Sequence, residues 1–137
     1  MNASPKWLRP VAVVALLWNL LGCLAFVSDL AMSPADVERL DAAQRALHEA
    51  RPGWSVAGTG LAVVGGALGS LGLLLRRRWA MPLLALSLTG VVLQDAGLAL
   101  AHVSPGGVVV GLQALVLAVA VALLALAMRA RRRGWLR

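Results

Sequence analysis

The chain has 137 residues, 60% hydrophobic and 14% charged, with a mean hydropathy of +0.80. That length allows one domain, and that much apolar surface excludes an ordinary soluble fold and points to lipid. One cysteine excludes an intramolecular disulfide, and two histidines cannot by themselves hold a metal or haem; the net charge of +7 sits in short basic runs at the ends of apolar stretches, which suits membrane phosphates rather than nucleic acid.

Four apolar segments of near-spanning or spanning length follow in order, about 10–28, 54–75, 79–102 and 106–128. The expected fold is all-α: a single membrane domain over 1–137, built as a four-transmembrane-helix bundle. At the start, Lys6 and Arg9 before an apolar run look like a signal sequence, and Leu20-Leu21-Gly22-Cys23 loosely resembles a lipoprotein cleavage box. The apolar run continues through Leu24, Ala25, Phe26 and Val27, so Cys23 reads as an ordinary small residue of the first span.

The connection at 29–53 carries its own helix signals. Ser33-Pro34-Ala35-Asp36 resembles a capping box with proline at the first helical position, and Arg51-Pro52-Gly53 is a stop. One short amphipathic helix is expected between them, with Val37, Leu40, Ala43 and Leu47 as its apolar stripe. It reads either as a connector resting on the bundle or as a lid or partner-docking surface.

The second span is glycine-rich. Gly58, Gly65, Gly69 and Gly72 recur with Ala62 along one face, a surface on which a neighbouring backbone can approach closely. The neighbour is another helix of this chain or of a second copy. The run Arg76-Arg77-Arg78-Trp79 then ends the hairpin at what reads as the headgroup level.

The third and fourth spans hold the polar residues of most interest. At about 1.5 Å per residue, Asp95 beside Gln94 lies roughly 10 Å short of His102, and Gln113 lies at a matching depth in the fourth span. Thr59 and Asn19 fall in the same half of the second and first spans, so every helix contributes a polar side chain to one band. The turn Val103-Ser104-Pro105-Gly106-Gly107 makes the last two spans an antiparallel hairpin, from which Asp95 and Gln113 are expected to face each other. A carboxylate in hydrocarbon costs several kcal/mol on insertion scales. With no lysine or arginine in any span, Asp95 reads as a proton-titrating group or as a hydrogen-bonded register pin, and His102 as an extension of a proton path or a solvated interfacial residue.

The tail repeats the basic-aromatic pattern, with Arg131, Arg132 and Arg133 before Trp135. With Arg129 and Arg137 also in the tail, and Lys6, Arg9 and Arg76–Arg78 beside it, ten basic residues lie on one side against Arg39, Arg45 and Arg51 on the other. The positive-inside rule then puts both termini in the cytoplasm and the 29–53 connection outside, with the arginines against anionic headgroups. Trp7, Trp79 and Trp135 fit an aromatic belt at the basic side, and Trp54 fits one at the other.

Four stretches, Leu17-Trp18-Asn19-Leu20-Leu21-Gly22, Gly65-Gly66-Ala67-Leu68-Gly69, Arg77-Arg78-Trp79-Ala80-Met81-Pro82-Leu83 and Gly134-Trp135-Leu136, give the chain its likeness to known sequences. It resembles a group of small bacterial four-helix inner-membrane proteins without an established mechanism, some automatically labelled sugar transporters. The resemblance implies a class and no substrate. Small multidrug transporters are similar in size, but the first span here carries Asn19 and no acid, and Asp95 in the third span departs from them.

Two functions are consistent with these residues. One is a small transporter or transport accessory in which Asn19, Thr59, Gln94, Asp95, Gln113 and His102 contact a polar solute or a proton; a four-helix protomer leaves little room for a large cavity, which favours a homo-oligomer. The other is a structural or regulatory membrane subunit whose outer helix docks a partner. No nucleophile–base pair, metal cluster or phosphate loop speaks for an enzyme, and no cofactor or metal is expected.

Overall fold

The computed structural model describes residues 3–137. Six helices follow in chain order: α1 Leu8–Leu30, α2 Pro34–Glu38, α3 Ala42–Ala50, α4 Gly53–Leu74, α5 Ala80–Leu100 and α6 Gly107–Arg132. The described residues are all-helical without strands, and α1, α4, α5 and α6 are each long and apolar enough to cross a membrane. Pro10 and Pro82 stand third in α1 and α5. Proline is tolerated in a first turn because the missing N–H would have no helical partner there. Both α1 and α6 run beyond their apolar windows, α1 from Leu8 through Leu30 and α6 through Arg132, since polar residues prolong a helix once its backbone ladder is formed.

Two short helices replace the single one expected between Ser33 and Arg51. Ser33 caps α2: its backbone N–H and its hydroxyl both donate to Asp36 Oδ2 at 2.9 Å, and its hydroxyl accepts from the Asp36 N–H. These bonds hold the Asp36 carboxyl below its ordinary range. The cap is therefore complete above the usual carboxylate pKa and is lost as pH falls through the depressed one. Asp41 starts a second helix by accepting from Gln44 N–H at 2.8 Å, and that competing cap breaks the chain after Glu38. Arg45 reaches back to the carbonyls of Val37, Glu38 and Leu40, satisfying the frayed end of α2.

Packing is organised around α4 and α5. A Cβ added to Gly58 would sit 2.7 Å from Leu93 Cβ, and one added to Gly90 would sit 2.5 Å from both Ala62 N and Gly58 O. At Gly65 the obstacle is the Leu83 carbonyl oxygen at 3.1 Å, at Gly69 the Leu84 side chain at 2.6 Å, and at Gly72 the Trp79 ring at 2.8 Å. The glycine face of α4 thus lies against α5 of the same chain over its whole length. α1 packs on another side of α4, with Gly60 against Phe26 and Gly22 against Val63. α6 packs chiefly on α5.

The basic end of the bundle is the better closed. Its core joins Ala12 and Ala15 of α1, Leu73 of α4, Ala80 and Leu84 of α5, and Leu123, Ala127 and Ala130 of α6. Small residues there bring side chains of all four helices into one cluster. The tail seals this end. Gly134, at φ +71°, turns the chain out of α6, Leu136 is buried, and Trp135 meets Trp7 edge-on at 5.9 Å. Arg137 N–H then donates to Arg76 O at 2.7 Å, and Arg78 N–H to Arg137 O at 2.9 Å, so the last residue is stitched to the α4–α5 turn. Toward the α2–α3 end the two outer helices bury nothing: the buried residues of α1 stop at Ala15 and those of α6 begin at Ala120.

Gly65→Leu and Gly69→Leu are each expected to lower stability by about 1–3 kcal/mol or more through overpacking. Val64→Leu, at a half-exposed position, should be nearly neutral. Thermal unfolding in detergent is the readout, and equal tolerance at all three would contradict the close α4–α5 contact.

Candidate functional site

Where α1 and α6 stop burying residues, a cleft remains between them, floored by α4 and α5. It encloses about 420 Å³, within the roughly 300–1,000 Å³ of small-molecule sites. Its walls are mainly apolar: Phe26 of α1, Val63 of α4, Val91 of α5, and Leu112, Val116 and Val119 of α6. Set into those walls are Asn19, Thr59, Ser87, Gln94 and Gln113. Four of the band residues expected from sequence, Asn19, Thr59, Gln94 and Gln113, therefore line one cavity.

Each is held by a local interaction. Asn19 Nδ2 donates to Ala15 O at 2.9 Å and to Ser70 Oγ at 3.3 Å. Its amide occupies the space beside Gly66, where any Cβ would collide with it. Thr59 Oγ1 donates to Ser55 O at 3.2 Å within its own helix, and Ser87 Oγ donates across to Ala62 O at 2.6 Å. These bonds leave Asn19 Oδ1 without a donor among the described residues.

The expected Asp95–Gln113 pair does not form; Gln94 Nε2 donates to Gln113 Oε1 at 2.6 Å instead. Residues 94 and 113 meet across the α5–α6 hairpin, but neighbouring residues on a helix point about 100° apart, and Gln94, not Asp95, is the one turned to α6. Asp95 is not among the residues lining the cavity. Its Oδ1 is buried without a hydrogen-bond partner among the described residues. His102 is exposed at the end of α5, with φ +53°, and does not line the cavity either.

At the α2–α3 end the cavity rim carries Asp29 and Arg51, a pair the sequence reading passed over. Arg51 Nη2 donates to Asp29 Oδ2 at 2.8 Å and lies 2.9 Å from His48 Nδ1, which is itself 3.4 Å from Asp29 Oδ1. Nδ1 can accept from Arg51 or donate to Asp29, not both at once, so the tautomer decides between them. Arg51 Nε is buried with no partner among the described residues. Partly exposed at 27% and 28%, the ion pair contributes about 0–1 kcal/mol. The signal lay in position: Asp29 ends one span and Arg51 precedes the next, so the connection returns an acid and a base to the same rim.

At the other end Arg77, Arg78, Arg131, Arg132 and Arg133 are exposed, while Arg76 donates to Ser4 Oγ at 3.0 Å. The described residues contain no cluster of three His, Cys, Asp or Glu able to hold a metal ion. Comparison with protein-family models, curated proteins and solved structures finds no match. The chemistry of the cleft has to be read from its own lining.

Gln113→Leu is expected to lower stability by about 1 kcal/mol, since it strands the Gln94 amide. Asp95→Asn, which breaks no hydrogen bond to Gln113, should leave the α5–α6 contact intact. Thermal unfolding of both variants separates the two glutamines from the acid; a loss in Asp95→Asn equal to that in Gln113→Leu would contradict the pairing.

Proposed function

We propose that this chain is a multi-pass protein of the bacterial inner membrane that acts as a small transporter or transport accessory, taking a small solute into the cleft between α1 and α6. The observation that carries this reading is the cavity itself, to which all four spanning-length helices bring a polar side chain. In this reading Asn19, Thr59, Gln94 and Gln113 contact the solute, and Asp95 is the proton-titrating residue beside them. The whole chain acts as one membrane domain with both termini cytoplasmic. α2 and α3 form a short amphipathic connection on the outer side, and the basic end rests on anionic headgroups through Arg76–Arg78 and Arg131–Arg133. Since α5 occupies the glycine face of α4, a homo-oligomer would assemble through a different surface.

A second reading has one observation behind it: neither α2 nor α3 buries a residue, which leaves both free to dock a partner protein. The cavity would then be a by-product of packing.

Reconstitution into liposomes tests the first reading. Orientation is fixed by labelling Ala42→Cys, in a Cys23→Ala background, with an impermeant reagent. It should react from the side opposite the arginine clusters. Flux across a broad panel of small solutes, measured at several pH values, should fall at least tenfold in Val116→Trp, which fills the cavity. Asp95→Asn should keep solute binding and lose pH dependence. Unchanged flux in Val116→Trp, or no flux of any solute, would favour the docking reading.

A further inference from the structure

The rim and the walls of the cleft differ in chemistry. Between the rim and Val91 and Val116 the cleft carries Thr59 and the hydrogen-bonded Gln94–Gln113 pair, and around and beneath these the walls are mainly hydrocarbon. The cation lining the cavity is Arg51, at one end. Its donors are not used up: Nη2 serves both Asp29 and His48, while Nε has no partner among the described residues. Asp29 has Oδ2 on Arg51, and its Oδ1 receives a hydrogen bond from His48 only in the tautomer that protonates Nδ1; in either tautomer Arg51 keeps an unused Nε donor. The unspent capacity at the rim is therefore for an anion. The long side of the cleft is the seam between α1 and α6, where neither helix buries a residue toward the α2–α3 end.

We propose that the cleft takes an amphipathic anion, with its carboxylate or phosphate head on Arg51 and its hydrocarbon tail along Val91 and Val116. This assignment rests on the reading of the cleft as a solute site and names the class of solute. A guanidinium offers paired N–H donors to either head group. A tail of CH2 groups matches walls that have few hydrogen bonds to give. The α1–α6 seam lets such a molecule pass sideways from the lipid without crossing the closed, basic end. Asp29 acts as the resident counter-ion that a ligand head displaces, and the half-exposed pair is weak enough for that exchange.

Tryptophan quenching tests it, because Trp18 lines the cavity. Single-tryptophan protein, with Trp7, Trp54, Trp79 and Trp135 changed to Phe, is placed in phosphatidylcholine nanodiscs. It is titrated with 12-bromododecanoate, 12-bromododecyl phosphate and 12-bromododecyltrimethylammonium. Both anions should quench Trp18 saturably and the cation should not; the stronger of the two anions distinguishes a carboxylate from a phosphate head. Arg51→Gln should weaken anion binding about tenfold or more. Arg51→Lys, which keeps the charge, should retain most of it, and Asp29→Asn should tighten it. Equal anion binding in Arg51→Gln, or saturable binding of the cation, overturns the assignment while leaving the cleft a solute site. Absence of saturable quenching by all three probes in protein with an intact thermal transition overturns both.

Discussion

The backbone-to-backbone approach of α4 and α5 is the constraint on which the other contacts depend. It exists because Gly58, Gly65, Gly69 and Gly72 present no side chain to α5, and because Gly90 of α5 returns the same absence at the place where Ala62 and Gly58 come closest. Between apolar helices in lipid there is little hydrophobic gain from association. Close van der Waals contact and interhelical hydrogen bonds must supply the specificity, and glycine is what permits the contact. Ser87, whose hydroxyl reaches the Ala62 carbonyl at 2.6 Å, fixes the register of the pair.

Once α4 and α5 are joined this closely, α1 and α6 are left on the flanks of a two-helix floor. At the basic end small alanines and the tail draw them together, with Trp7 on Trp135 and Leu136 beneath. At the other end the flanking residues are larger, the glycines of α4 are already committed to α5, to Asn19 or to Phe26 of α1, and a cleft stays open. Its polar groups are few and each is positioned by a neighbour. That combination suits an apolar or amphipathic molecule better than a heavily hydroxylated one, whose many donors and acceptors would find too few partners in hydrocarbon walls.

Much of the architecture was legible in the sequence. Hydropathy located four long helices, and the glycine spacing marked the face of α4 that meets α5. The Ser33–Asp36 cap was readable from four residues because capping is a local interaction. What failed depended on orientation or on competition. Gln94 and Asp95 share a depth, and hydropathy does not say which of two adjacent residues faces α6. The break between α2 and α3 was missed because Asp41 reads as part of a polar helix face unless its capping bond to Gln44 is considered. The Asp29–His48–Arg51 rim was missed because its members come from the end of α1 and, much later in the chain, from the last turn and C-cap of α3, and only the returning chain brings them together. The tail's packing was hidden behind its charge: four arginines surround Trp135 and Leu136, yet it is the two apolar residues and the main chain that hold it in place.

α1 and α6 share a core at the basic end and stand apart at the other. Distances between paired spin labels in the Cys23→Ala background test it most directly, with one pair at Val11 and Met128 and a second at Val27 and Val110, all exposed positions. In lipid bilayers the Val27–Val110 pair should give a longer and broader distance distribution than the Val11–Met128 pair. Equal, narrow distributions at both ends would mean that the helices close along their full length and that no cleft exists.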